Sequence, residues 1–339
     1  MALLNVEGFE AFGTSTGSAP SPTGVVARKY LVSSNPGFTV ETGRVSGYSL
    51  KMSNATLTIP LSTTDATITV GFAFKSSLLT ATNYFLRIHD AVNWCIRVYV
   101  AAGNVIRVDR GSTTIATSVT TDINDGNWHY IEVKVKCHDS TGTVEVRVGG
   151  VSVITATGLD TKDGTQAYYN FVDFIGDSFN RIYLLDDLYI CDGTGAVNND
   201  FLGNKKVTTI QPDGAGDSTQ LTPSAGNNYN CVDEAICNDD TDYVESATTD
   251  HTDLYNYAAV ALSNISGLQI NTDCRETDAT TFGIHAMCKS GATTDEAASV
   301  VIGTTNYVTK TKVHEVDPNT SAAWTDTNVS AAQFGVKVH

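Results

Sequence analysis

The sequence predicts an all-β chain folded as two β-sandwich-like domains. Three observations carry that expectation. Apolar residues recur at every second position in one segment after another. Thr, Ser, Asn, Asp and Gly fill much of the remainder, while charged residues make up only 17% of the 339 positions. No amphipathic helical period separates the alternating segments, so the crossover helices that parallel strands need are missing. The length exceeds what one hydrophobic core ordinarily serves, and an apolar fraction of 41% is enough to fill two.

The alternation sets the strands in order. Residues 13–24 are Gly, Ser, Thr and Pro in a stretch that can build no core, and they read as a loop. Leu57, Ile59 and Leu61 share one face, as do Ile68, Val70, Phe72 and Phe74, and then Tyr84, Leu86 and Ile88. The next strand is expected to place Trp94, Ile96, Val98 and Val100 inward, with Cys95, Arg97 and Tyr99 opposite. Ala102-Gly103-Asn104 turns it into a partner at Val105–Asp109. The clearest hairpin sets Ile131, Val133, Val135 and Cys137 against Glu132, Lys134, Lys136 and His138, turns at Asp139–Gly142, and returns through Val144, Val146 and Val148. One dry face and one wet face is what a sandwich sheet requires. Phe171–Ile175 and Arg181–Ile190 add two strands.

After Cys191 the texture changes to Asp, Gly, Asn and Thr, and a domain boundary is expected near residue 200. The second half is patterned more weakly. Its candidate strands are Tyr257–Leu262, Gly267–Asn271, Thr281–Cys288, Ala298–Ile302, Asn306–Val316 and Gln333–Val338. The expected division is a first domain over residues 1–198 and a smaller β-sandwich over 199–339, serving as an assembly or surface module.

The segment Asp125-Gly126-Asn127-Trp128-His129-Tyr130-Ile131-Glu132-Val133 resembles a turn-and-strand segment of laminin-G-like and concanavalin-A-like domains. Leu184–Ile190 resembles the closing strand of that jelly roll, so the resemblance implies a concanavalin-A-like jelly-roll sandwich over about residues 1–195. Asp192–Gly203, Tyr229–Glu234 after Gln220–Ser224, and the carboxy-terminal Ala323-Trp324-Thr325, followed by Val329 and Phe334-Gly335-Val336, resemble passages of phage virion proteins of this architecture. That second resemblance implies a non-enzymatic structural component of a bacteriophage particle, associated with its tail or capsid surface. Its implied partners are other phage structural proteins and copies of itself, with a trimer by family analogy, and its implied location is the virion. The alternative is a receptor-binding adsorption protein that contacts a bacterial surface glycan. A glycoside hydrolase ranks third.

Composition excludes other classes. A formal charge of -16 with no basic cluster repels nucleic acid. No stretch is long and apolar enough to insert in a membrane. Met1–Phe12 carries Glu7 and Glu10 and no basic region, so no signal peptide is expected. The seven cysteines lack zinc spacing and read as reduced thiols, with a Cys231–Cys237 disulfide the conceivable exception. Walker and dinucleotide fingerprints are absent.

No catalytic or cofactor-binding residue is assigned. Hydrolysis of a glycosidic bond needs two carboxylates on one groove, and no tight Glu/Asp cluster supplies them. Laminin-G-like relatives sometimes bind calcium at the sandwich rim, where Asp173, Asp177, Asp186 and Asp187 are the candidates here. Asp239, Asp240, Asp242, Asp250 and Asp253 read as turn and capping residues. A glycan site would combine an aromatic platform with polar loop groups. Tyr168, Tyr169, Phe179, Tyr229, Tyr243 and Tyr255 are the candidate platforms, and most read as packing.

Overall fold

The structure, a computed structural model, describes residues 2–13, 21–33, 37–76, 83–91, 93–176, 183–278 and 281–339. It is predominantly antiparallel β-sheet and divides into two compact units. One holds the amino-terminal residues and Pro22–Val207, the other Thr208–His339. Among the described residues no helix is long and apolar enough to cross a membrane.

The first unit contains β1 (Leu3–Glu7), β2 (Leu31–Val32), β3 (Gly37–Thr42), β4 (Tyr48–Ser53), β5 (Thr56–Pro60), β6 (Thr67–Ser76), β7 (Asn83–His89), β8 (Ile96–Ala101), β9 (Val105–Arg110), β10 (Thr113–Thr120), β11 (Trp128–Lys136), β12 (Gly142–Val148), β13 (Val151–Leu159), β14 (Phe171–Ile175) and β15 (Tyr183–Asp192). An eight-stranded sheet runs β13-β12-β11-β6-β15-β4-β3, with β1 on β15, and a seven-stranded sheet runs β10-β9-β8-β7-β14-β5-β2. The two sheets meet through aromatic side chains. Phe72 of β6 lies 5.0 Å from Phe174 of β14, and Phe74 lies 4.9 Å from Phe85 of β7, ring centre to ring centre. Each of these side chains is fully buried, a contribution of roughly 2–3 kcal/mol apiece relative to exposure.

The period-two pattern explains most of this core. Ile131, Val133 and Val135 have no exposed surface, and Val133 pairs with Val146 across the β11–β12 hairpin. The β8–β9 turn uses Gly103 and Asn104, both at positive φ (84° and 54°), as a tight turn between twisted strands demands. Neither sheet closes into a barrel, and the identification of the sandwich as a jelly roll does not follow from the sheet order alone.

Three local expectations are corrected. The loop expected to run to residue 24 gives way to a helix, α1 (Pro22–Lys29), because proline suits the first helical position and Val25 and Val26 find buried surface. Trp94 does not extend the inward row of β8: the strand begins at Ile96, and the indole is 54% exposed. Glu132, expected on a wet face, is buried, because Tyr189 and the chain around Gly203 cover the outer side of β11.

The second unit contains β16 (Pro212–Thr219), β17 (Thr222–Pro223), β18 (Val244–Glu245), β19 (Thr252–Tyr257), β20 (Leu268–Cys274), β21 (Gly283–Ser290), β22 (Thr293–Glu296), β23 (Val300–Val301), β24 (Val308–His314), α2 (Asp326–Ala331) and β25 (Gln333–Val338). One sheet runs β16-β19-β25-β21-β22 with β23 on β21, and β20 and β24 form a separate ladder. Its core gathers Cys288, Trp324, Val329, Ala332 and Phe334, with Leu268 and Ile270 of the ladder packed against them. Trp324 donates its indole N–H to the His314 carbonyl at 3.1 Å. Thr325 caps α2 by accepting from the Asn328 N–H. All seven cysteines are free thiols, including Cys231 and Cys237.

Candidate functional site

The site begins with the register of the seven-stranded sheet. Val98, Val108, Leu86 and Val172 point into the core, so the alternate residues of β8, β9, β7 and β14 share the opposite face. Along one row, Asp173 stands opposite Arg87, Arg87 opposite Arg97, and Arg97 opposite Asp109. In the next row Tyr84 stands opposite Tyr99, and Tyr99 opposite Arg107. Four of the chain's nine arginines therefore fall on three adjacent strands of an otherwise acidic protein.

Trp94 stands over this face from the turn before β8. Asp90 is buried and fixes that turn, accepting from the Asn93 N–H at 2.6 Å and from the Asn93 amide. The indole centre lies 4.6 Å from the Arg87 guanidinium and 5.6 Å from that of Arg97. Arg97 also lies 5.0 Å from the centre of the Tyr84 ring, and Tyr84 meets Tyr99 edge to face at 5.0 Å. Guanidinium groups over aromatic faces are attracted by the ring quadrupole, which pre-orients both partners.

The polar groups beneath are only partly satisfied. Arg87 donates through Nη2 to Asp173 Oδ2 at 2.7 Å. Burial by itself would raise the Asp173 carboxyl, but His89, Thr58 and the Arg87 charge together hold it below its ordinary value. His89 stacks on Phe171, donates through Nδ1 to the Asp90 carbonyl at 2.6 Å, and places Nε2 3.1 Å from Asp173 Oδ2. Asp109 accepts from the Tyr99 hydroxyl at 3.4 Å. The Nε atoms of Arg87 and Arg97 and Oδ1 of Asp173 are buried without hydrogen-bond partners. Unpaired buried polar atoms are costly and cluster where a fold serves something besides stability.

The sequence-predicted candidates are placed differently. Of the calcium candidates, Asp173 belongs to this face but is engaged by Arg87, Asp186 accepts from the backbone of Arg44 and Asp187, and Asp187 pairs with Arg44. Among the described residues no group of three or more His, Cys, Asp or Glu side chains is arranged to hold a metal ion. Asp177 and Phe179 lie outside the described residues. Tyr169 and Tyr255 are buried and bonded to Thr161 and Asp253, so neither is a platform. Tyr168 and Tyr229 are half-buried, and Tyr243 is exposed in the second unit. Asp240 pairs with Arg275, Asp242 accepts from Asn238, Asp250 pairs with Lys337, and Asp253 accepts from Leu221 and Asn228. Asp239 sits at positive φ in its turn. The sequence reading missed Trp94 as a surface residue. The clue was Asp90, four residues ahead, which could fold back on the chain and interrupt the alternation.

No protein-family model matches the chain, and no curated protein matches it. Solved structures do. The chain is similar to domain 4 of AbnA, a GH43 extracellular arabinanase from Geobacillus stearothermophilus, in complex with arabinotriose, at 16% identity over 56% of this chain and 93% of that one, with a TM-score of 0.39. It is similar to an endo-β-1,4-glucuronan lyase from the fungus Trichoderma reesei at 13% identity over 48% of this chain and 90% of that one, with a TM-score of 0.39. It is also similar to a carbohydrate esterase from the Shiga toxin-encoding bacteriophage phi24B at 14% identity over 55% of this chain and 99% of that one, with a TM-score of 0.37.

These findings correct the expectation of a non-enzymatic tail or capsid-surface component of a phage particle. These three structures are two carbohydrate-active enzymes and a domain of a third, and the phage-encoded one is itself an esterase. The physical reason is that the segments behind the virion resemblance do local structural work. Asp200 pairs with Lys134 to hold the chain after β15, and Trp324 donates its indole N–H to the His314 carbonyl within the core of the second unit. Such devices specify a sheet and its connections, not a role. The assignment as a non-enzyme falls with them. At these TM-scores the likenesses set no activity or substrate for this chain.

Proposed function

We propose that the first unit is a carbohydrate-binding domain whose ligand lies across the seven-stranded sheet, on the face that carries Trp94. The observation behind this reading is the half-exposed indole of Trp94, held by two arginines beside Tyr84. Leaving an indole in water forgoes its burial. A sugar ring recovers that loss, because its C–H face stacks on an aromatic ring while its hydroxyls bond to neighbouring polar groups. Arg97 and Tyr84 supply polar groups beside the platform, with the buried Tyr99–Asp109 pair beneath them. Concanavalin-A-like jelly-roll topology for this sandwich is part of the same proposal. The adsorption reading makes the glycan part of a bacterial surface.

The test is a titration of the purified chain against a panel of soluble oligosaccharides, followed by calorimetry and by tryptophan emission. Trp94→Ala is expected to weaken binding by about tenfold or more, as the loss of a stacked aromatic anchor does, with the circular dichroism spectrum unchanged. A folded Trp94→Ala protein that binds with wild-type affinity overturns the reading. Release of new reducing or unsaturated ends in the same mixtures shows whether binding is followed by cleavage.

A further inference from the structure

We propose that the glycan is acidic, a uronic-acid polymer whose carboxylate is received by Arg97 with Arg107 beside it. This rests on the carbohydrate-binding reading and narrows its ligand. The argument starts from charge pairing. The chain has 37 acidic and 21 basic side chains, so carboxylates are plentiful. Arg44, Arg87, Arg110, Arg147 and Arg275 each hold one, namely Asp187, Asp173, Asp160, Glu145 and Asp240.

Arg97 and Arg107 hold none among the described residues. Arg97 makes one hydrogen bond, from Nη1 to the Tyr84 hydroxyl at 3.3 Å, and its Nε is buried without a partner. Its nearest acid by register is Asp109, which is engaged instead by Tyr99. Arg107 is exposed and lies diagonally across from Arg97 on the same face, within the reach of long side chains on paired strands.

A guanidinium held against two rings has its orientation restricted, which lowers the entropy lost on binding. Its planar fork matches a carboxylate in bidentate geometry. A neutral sugar offers that fork single hydroxyl oxygens and no bidentate acceptor. A uronate places a carboxylate on the same ring that stacks on Trp94, so one monomer engages both features. A net charge of -16 repels any long polyanion, so the inference concerns a uronate held at this patch and not attraction along a whole polymer.

The experiment compares oligogalacturonate, its carboxyl-reduced neutral counterpart, dextran sulfate and single-stranded DNA by calorimetry at low and moderate salt. The wild-type chain is expected to bind the uronate about tenfold more tightly than the neutral counterpart, the usual scale for one charge-assisted bidentate contact. Arg97→Met, which keeps the stem but removes the fork, is expected to abolish that preference, read as the ratio of acidic to neutral affinity within the same variant. Arg97→Lys is expected to restore part of it, and Arg107→Met serves as the second variant if Arg97→Met does not fold. Equal affinity for acidic and neutral oligomers overturns the inference. So does tighter binding of sulfate or DNA, or an unchanged preference in folded Arg97→Met. Loss of neutral-oligomer binding in Trp94→Ala alongside an inert Arg97→Met leaves the carbohydrate reading standing and removes only this step. Binding to none of the sugars removes both.

Discussion

The ring of Tyr189 covers the backbone of Gly71. The two residues are register partners on β15 and β6, and a methyl group at Gly71 would overlap the phenol. The ring cannot swing clear, because its hydroxyl donates to Glu132 and accepts from the Leu202 N–H at 3.0 Å. Gly71→Ala therefore forces the ring or the strand to shift. The expected cost is about 1–3 kcal/mol, the range for overpacking a filled site. Urea denaturation of the two proteins checks it, and a midpoint unchanged by Gly71→Ala would show that the ring yields freely. Sugar binding should survive, since Tyr189 lies on the other sheet.

Arg44 ties the chain after β15 to the same sheet. It donates through Nε to Asp187 at 2.7 Å and through Nη2 to the Lys205 carbonyl at 2.6 Å. Asp187 accepts from the Val207 N–H in turn. Removing the cation leaves a buried carboxylate without its partner. Arg44→Met is expected to destabilise the first unit by roughly 3 kcal/mol. It should also accelerate hydrogen exchange at residues 204–207. Arg44→Lys should recover only part of the loss, because a point charge cannot serve both acceptors in a fork. Native exchange rates in Arg44→Met would refute the tether.

The strands were legible where apolar residues alternate with polar ones. Ile131, Val133 and Val135 alternate cleanly because one face of β11 meets the core, and Gln333–Val338 was readable for the same reason. The strand β16 was not, since its Pro-Asp-Gly-Ala-Gly-Asp-Ser-Thr sequence lies at a sheet edge and buries little. Asp186 and Asp187 defeated a regular-strand reading, because the register shifts between Asp186 and Tyr189 and Asp187 takes positive φ. The candidate site was the least legible part. Tyr84, Arg87 and Arg97 come from the consecutive strands β7 and β8, but Asp173 comes from β14, 86 residues after Arg87, and only the pairing order brings it to them. A single sequence carries the period of each strand but not its neighbour.

The thiols give a simple check on the redox state. Cys95, Cys137, Cys191, Cys231 and Cys288 are buried, and burial pushes the Cys95 thiol up to about 11 and the Cys288 thiol up to about 12. Thiols held neutral in this way react slowly with alkylating agents. Native alkylation is expected to leave these five unmodified, while alkylation in denaturant without reductant should modify all seven cysteines. A mass showing five modified cysteines in denaturant would reveal a disulfide and correct the free-thiol assignment.

Two buried carboxylates should give stability opposite dependences on pH. Burial, with the charges of Asp187 and Glu10 adding to it, pushes Asp186 up to about 7 against the pull of the Arg44 and Asp187 N–H groups. A carboxyl raised in the folded state contributes stability that is complete below its unfolded value of 3.8 and is lost as pH climbs through about 7. Asp173 is shifted the other way: burial opposes ionisation, but His89, Thr58 and Arg87 prevail and hold it below 3.8. Its contribution is present above 3.8 and is lost as pH falls through the folded value. The pair alone therefore favours a stability maximum near pH 4, with a falling limb toward neutrality on the order of 2 kcal/mol. Denaturant midpoints between pH 4.5 and about 7.5, spanning the Asp186 titration, test this in wild type and in Asp186→Asn. The asparagine keeps an acceptor for the Asp187 N–H and cannot ionise, so the neutral limb should flatten. An identical slope in the two proteins would show that Asp186 is not the group that titrates. Asp173→Asn should leave that limb intact and alter only the acid side.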